Sequence, residues 1–118
     1  MSNSAASSSG SKAGKAYVIS EVTVRDEEQA ARYRELAAAS IAEYGGRYLV
    51  RGAEIDAVEG TTGNGRLVIV EFPSMERARA WYMSASYAPA RVLRETALDR
   101  RLLFVEGVSL AGTAEGPQ

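Results

Sequence analysis

The chain contains no cysteine and no histidine. Disulfides, thiolate nucleophiles, Cys/His zinc sites, histidine-ligated haem and histidine-based triads are therefore excluded. Lysine occurs only as Lys12 and Lys15, outside the segment that reads as folded, so the domain has no Schiff-base lysine. No apolar run approaches the roughly 20 residues of a membrane span. Charge of one sign is lacking too: the formal net charge is −1 and no basic cluster occurs. Nucleic-acid binding needs a positive footprint, so neither nucleic acid nor membrane is an expected partner. No metal and no cofactor are expected. Acid–base chemistry is left to Glu, Asp, Tyr, a ligand or water. The positive side chains of the domain are all arginines, which hold anions in a planar fork and do not act as bases.

What is present fits one domain. Residues 1–15, MSNSAASSSGSKAGK, are rich in Ser, Ala and Gly and cannot bury enough apolar surface to offset their ordering entropy. They read as a disordered tail, and without an apolar h-region they do not read as a signal peptide. Residues 109–118 read as a flexible C-terminal tail, and residues 16–108 as the folded domain. A cytoplasmic protein is expected. A domain of this size buries only about 60–65% of its unfolded surface, so self-association would add useful burial.

AYVISEVTV (16–24) alternates and is β-branched, which predicts a strand. Asp26 offers an N-cap, with Gln29 in the capping-box position. Ala30, Tyr33, Ala37, Ile41 and Tyr44 then recur at spacings of three and four, which predicts an amphipathic helix. Gly45 and Gly46 end it. RYLVR (47–51) is a second strand. EIDAVEG (54–60) either extends it past a bulge near Gly52 or forms a hairpin arm, and TTGNG is a turn. RLVIVEF (66–72) is a third strand, Ser74 caps a second helix, and SASYAPARVLRETALD is a shorter helical stretch with Pro89 near its first turn. RLLFVEG (101–107) is the last strand. The order is βαββαβ, an α+β ferredoxin-like pattern.

Alternation then assigns two faces. Val18, Val22, Tyr48, Val50, Val68, Val70, Phe72, Leu103 and Val105 form an apolar face for the helices. Tyr17, Ile19, Glu21, Arg47, Leu49, Arg51, Leu67, Ile69, Glu71, Leu102, Phe104 and Glu106 form a mixed face, too apolar for water and too charged for a plain core. A second copy of the chain would cover it, enclosing a partly polar space. With the first and third strands taken as parallel neighbours, Glu21, Glu71 and Arg47 form a row, while Glu106 and Arg51 lie away from it. Such a row is an acid–base pair beside an anion-holding guanidinium. It is equally an ion-pair network at a dimer seam, or a glutamate solvated at a strand end. Tyr33, Tyr44, Trp81 and Tyr82 read as core, Tyr48 as core with its hydroxyl at a polar edge, and Tyr87 as packing or a cavity mouth.

AYVISEVTV, a Tyr/Arg helix, YGGRYLVRG, EG, RLVIVEFPS, AWY with Tyr87 downstream, and LLFVEG resemble the family called domain of unknown function 1330, from about Ala16 to Gly107. The resemblance implies a ferredoxin-like dimeric α/β barrel, in a superfamily that includes cofactor-free monooxygenases and muconolactone isomerase-like enzymes. Its pattern picks out Tyr44, Gly45, Gly46, Arg47, Arg51, Gly52, Glu59, Gly60, Arg66, Glu71, Phe72, Pro73 and Tyr87. Relatives carry a tryptophan and a proline after EG, where this chain has TTGNGR. The candidate site is therefore Glu21 and Glu71 as catalytic acid and base, with Arg47, Arg51, Tyr44, Tyr48, Tyr87 and Arg66 binding substrate. The expected function is a small-molecule-binding homodimer acting as a cofactor-independent isomerase, cyclase or lyase on a small organic acid or polyketide-like compound. A non-catalytic binder, a structural dimer and a cofactor-free monooxygenase stand as alternatives.

Overall fold

The structure, a computed structural model, describes residues 14–109. The expected tails at 1–15 and 109–118 lie outside the described residues except for 14, 15 and 109. The elements are β1 (Ala16–Val24), α1 (Glu27–Glu43), β2 (Arg47–Ala53), β3 (Arg66–Phe72), α2 (Met75–Tyr82), α3 (Ala88–Ala97) and β4 (Leu98–Glu106). The strands form one sheet in the order β2-β3-β1-β4, with every neighbouring pair antiparallel. This is the ferredoxin-like α+β architecture, with three helices on the sheet.

Local chemistry explains the element ends. The Asp26 carboxylate accepts from the Gln29 amide at 3.0 Å and starts α1, and Glu27 and Glu28 favour the positive end of its dipole. At the other end, Gly45 takes φ +82° and donates to Ala42 O, while Gly46 donates to Ile41 O at 2.9 Å. That pair of bonds is a Schellman ending. Gly46 is needed for a second reason: a Cβ there would lie 2.7 Å from Ile41 Cγ2 and 2.7 Å from Phe72 Cε1. The helix end thus presses directly on the core. There the Phe72, Trp81 and Tyr87 rings stack in sequence, with centroids 5.4 and 4.3 Å apart. The Trp81 indole donates to Ser40 Oγ at 3.0 Å.

Three expectations need correction. First, β1 and β3 are antiparallel. The α1 crossover makes β2 parallel to β1, but β3, the hairpin partner of β2, inserts between them and runs against both. Second, β4 starts at Leu98, three residues earlier than expected, and has the opposite phase. Val18 faces Phe104 and Ser20 faces Leu102, so Arg100, Leu102 and Phe104 share the helix side with them. Leu103 and Val105 lie on the open side, 40% and 44% exposed. Glu106 pairs with Ala16, at the Glu71 end of the sheet. Third, residues 54–60 form neither a strand extension nor a hairpin arm. The expected irregularity near Gly52 is present between Arg51 and Ala53, and a second one lies between Tyr48 and Val50. The second, at Leu49, moves Val50 opposite Ile69 on the open side and Arg51 opposite Val68 on the helix side.

Candidate functional site

On the open sheet face, β2 and β3 bring Arg47 opposite Glu71, and β1 brings Tyr17 opposite Glu71. Arg47 Nε donates to Glu71 Oε1 at 2.8 Å, and the Tyr17 hydroxyl donates to Oε2 at 3.1 Å. The Arg47 hydrogen bond, with help from Tyr17, holds the Glu71 pKa below its ordinary value against the opposing effect of burial. The bond to Glu71 in turn raises the Tyr17 pKa. Both carboxylate oxygens are therefore occupied, which suits a structural ion pair better than a proton acceptor. Glu21 is not part of this group. It lies opposite Leu67 and Arg101, four residues further along β1, and its carboxylate is 3.6 Å from Arg101 Nη2. The row Glu21–Glu71–Arg47 does not form, because it requires the parallel pairing that the fold lacks.

On the other face, sheet and helices enclose a cavity of about 300 Å³, within the range of small-molecule sites. Its floor is aliphatic, from Val18, Val22, Val68 and Val70. Four arginines line it (Arg34, Arg51, Arg66 and Arg100), and among the described residues no carboxylate does. Arg100 is held in an unusual way. Nη1 donates to the Tyr33 hydroxyl at 2.8 Å and Nη2 to the Tyr87 hydroxyl at 2.6 Å, and the two hydroxyls are 2.8 Å apart. No ion pair to Arg100 occurs among the described residues. Burial works against its charge, but the two phenol oxygens more than offset this and the guanidinium stays protonated. Burial, the largest influence on Tyr33, pushes its pKa well above the usual tyrosine value, so the phenol is neutral.

A proton count shows what the cluster offers. Each phenol oxygen accepts from Arg100, and one hydroxyl donates to the other. One O–H remains without an acceptor among the described residues. Tyr87 is fully buried and does not line the cavity, whereas Tyr33 does. With Tyr87 donating to Tyr33, the free O–H is that of Tyr33. A cation and a neutral O–H donor then share one end of a cavity with an aliphatic floor, an arrangement chemically suited to an oxyanion.

The remaining expected residues are divided. The Arg51 guanidinium lies over the Tyr48 ring, 4.1 Å from its centroid, and both line the cavity. Burial raises the Tyr48 pKa. Arg66 also lines the cavity, but it donates to Gly52 O at 3.2 Å and lies 3.6 Å from Glu54. Tyr44 is elsewhere, under the Arg77 guanidinium at the end of α1. Tyr87 acts behind the cavity wall. Among the described residues, no cluster of acidic, Cys or His side chains could hold a metal. Sequence reasoning missed Arg100 and treated Tyr33 as plain core. The available signal was the doublet Arg100–Arg101, since two successive arginines in a strand must point to opposite faces.

The chain belongs to the family described as domain of unknown function DUF1330, which matches residues 15–108. No curated protein matches it. Solved structures share its fold at low identity. A protein of unknown function from Rhodopseudomonas palustris superposes with a TM-score of 0.67 at 16% identity, over 92% of this chain and 95% of that one. SnoaB, a cofactor-independent oxygenase from Streptomyces nogalater, gives 0.59 at 13%, over 84% and 98%. A protein from Bacteroides fragilis, described as dimeric and ferredoxin-like, gives 0.54 at 13%, over 80% and 97%.

Proposed function

We propose that this DUF1330 protein binds an acidic, largely apolar organic molecule between sheet and helices, and acts on its conjugate base without a cofactor. The carrying observation is the Arg100–Tyr33–Tyr87 cluster: a guanidinium held by two phenols, with no carboxylate to neutralise it, facing an aliphatic floor. A structural arginine in such a place would be expected to have an acid beside it. Here that position is open to a ligand.

The geometry favours anion stabilisation over general-base chemistry. The chain has no His, and among the described residues no Glu or Asp lines the cavity, so none of these is suited to remove a proton there at neutral pH. The substrate is a phenol or enol that gives its proton to solvent on binding, or a carboxylic acid already ionised in water, and Arg100 and Tyr33 hold its oxyanion. This moves the chemistry away from Glu21 and Glu71, which line the other face. An electron-rich phenolate or enolate can itself pass electrons to dioxygen. Oxygenation is therefore the reaction class we favour over isomerisation or elimination, and SnoaB, described as a cofactor-independent oxygenase, carries such chemistry on this fold. A second copy of the chain covers the open face, where Leu49, Leu103 and Val105 are otherwise 40–46% exposed.

Fluorescence titration of 2-naphthol tests the anion-stabilising step. Bound naphthol is expected to ionise at a pH about one unit below that of free naphthol, equivalent to about 1.4 kcal/mol of preferential anion binding. Arg100→Gln should abolish the difference. Ionisation at the same pH free and bound would contradict the proposal.

A further inference from the structure

We infer that the ligand carries two acidic groups, one at each end of an apolar body, and that Arg51 takes the second. This rests on the cavity reading above. Arg51 and Arg100 stand on the two outer strands, β2 and β4, and both face the helix side. Arg100 lies opposite Val22, and Arg51 lies opposite Val68, which itself faces Ser20. Three strand spacings of about 4.8 Å across the sheet and two residues of about 3.3 Å along it put their backbones roughly 16 Å apart. Between them the floor carries Val22, Val68 and Leu102, and its polar points are the buried Ser20 hydroxyl and Arg66, which lies opposite Val22. A body lying there gains by being apolar and loses by carrying polar groups along its length.

The two ends share one property. Among the described residues, neither Arg51 nor Arg100 has a carboxylate within ion-pair distance. Arg66, the neighbour of Arg51 at the cavity wall, is engaged by Glu54 and Gly52 O. Arg51 instead lies over Tyr48, and its N–H groups, with no hydrogen-bond partner among the described residues, can receive a carboxylate, phenolate or enolate oxygen. An arginine stacked on a surface tyrosine is common in itself. What sets this one apart from Arg34, which also lines the cavity without an ion pair among the described residues, is its seat on Tyr48 at the outer strand opposite that of Arg100. It is there because the bulge at Leu49 turns Arg51 toward the helices.

Isothermal titration with biphenyl-4-carboxylate and biphenyl-4,4′-dicarboxylate, at about 0.15 M ionic strength to screen non-specific attraction, separates the possibilities. The diacid is expected to bind at least about tenfold tighter, the equivalent of one further charge-assisted hydrogen bond. In Arg51→Gln, a change at an exposed position that leaves the fold intact, the two affinities should come within about twofold. Equal affinities in the wild type, with both weakened by Arg100→Gln, overturn the second acid and leave the cavity reading standing. A diacid advantage that persists in Arg51→Gln overturns the assignment to Arg51. Absence of binding by either probe, or binding indifferent to Arg100→Gln, overturns the cavity reading together with this inference.

Discussion

Tyr87→Phe removes one oxygen from behind the wall of the proposed site and keeps the ring that packs there. The Tyr87 ring is fully buried, 4.3 Å from the Trp81 centroid, and phenylalanine keeps that packing. The lost hydroxyl has two partners, Tyr33 Oη at 2.8 Å and Arg100 Nη2 at 2.6 Å. A bond between neutral hydroxyls contributes about 1 kcal/mol and one to a charged group about 1.5–3 kcal/mol. Arg100 Nη2 then keeps no recorded partner among the described residues, so the full loss is expected at about 2–4 kcal/mol. That is a large part of the 5–15 kcal/mol typical of a domain. Urea unfolding at fixed protein concentration reads it directly. With a slope of about 1–3 kcal/mol per molar for a small domain, the midpoint should fall by roughly 1–2 M with the slope unchanged. A midpoint within about 0.3 M of wild type would show that Tyr87 does not support Arg100, and the anion receptor would lose its frame.

Gly46→Ala should lower stability by about 1–3 kcal/mol, read as a fall in Tm by calorimetry, because its Cβ meets both Ile41 and Phe72. Gly52→Ala, at φ +85° with no atom within 4 Å, should cost only about 1 kcal/mol through backbone strain; a smaller loss at Gly46 than at Gly52 would contradict the close-approach argument. Glu71 binds a proton less readily in the folded chain than in the unfolded one, so its contribution is complete above the ordinary carboxylate pKa and drains as pH falls through that value to the lower folded one. The stability gap between wild type and Glu71→Gln should therefore narrow as pH falls below the ordinary carboxylate range of about 4–4.5, and a gap that widens on acidification would reverse the sign of this account.

Much of the fold was legible because each element carries its own signals: Asp26 and the paired glycines bound α1, and Ser74 starts α2. Strand direction was not. Element order alone does not show that the hairpin partner inserts between β1 and β2, and this one inference misplaced Glu21 beside Glu71. The phase of β4 was ambiguous because Leu102, Leu103, Phe104 and Val105 are all apolar, so alternation has nothing to alternate with. The side of Arg51 depends on a bulge at Leu49, and nothing in RYLVR marks it. Arg47 and Glu71 were placed together correctly, since both directions of a hairpin are fixed by its turn. The arginines of RYLVR therefore divide between two tasks: Arg47 pairs with Glu71 on the open face, and Arg51 turns to the cavity.

A crystal structure of the protein with biphenyl-4-carboxylate tests the central claim most directly. The carboxylate is predicted between sheet and helices, with its oxygens within hydrogen-bond distance of Arg100 and the Tyr33 hydroxyl. An acid seated instead on the open face against Arg47, with the cavity empty and Arg100 still bound only to its two tyrosines, would contradict it.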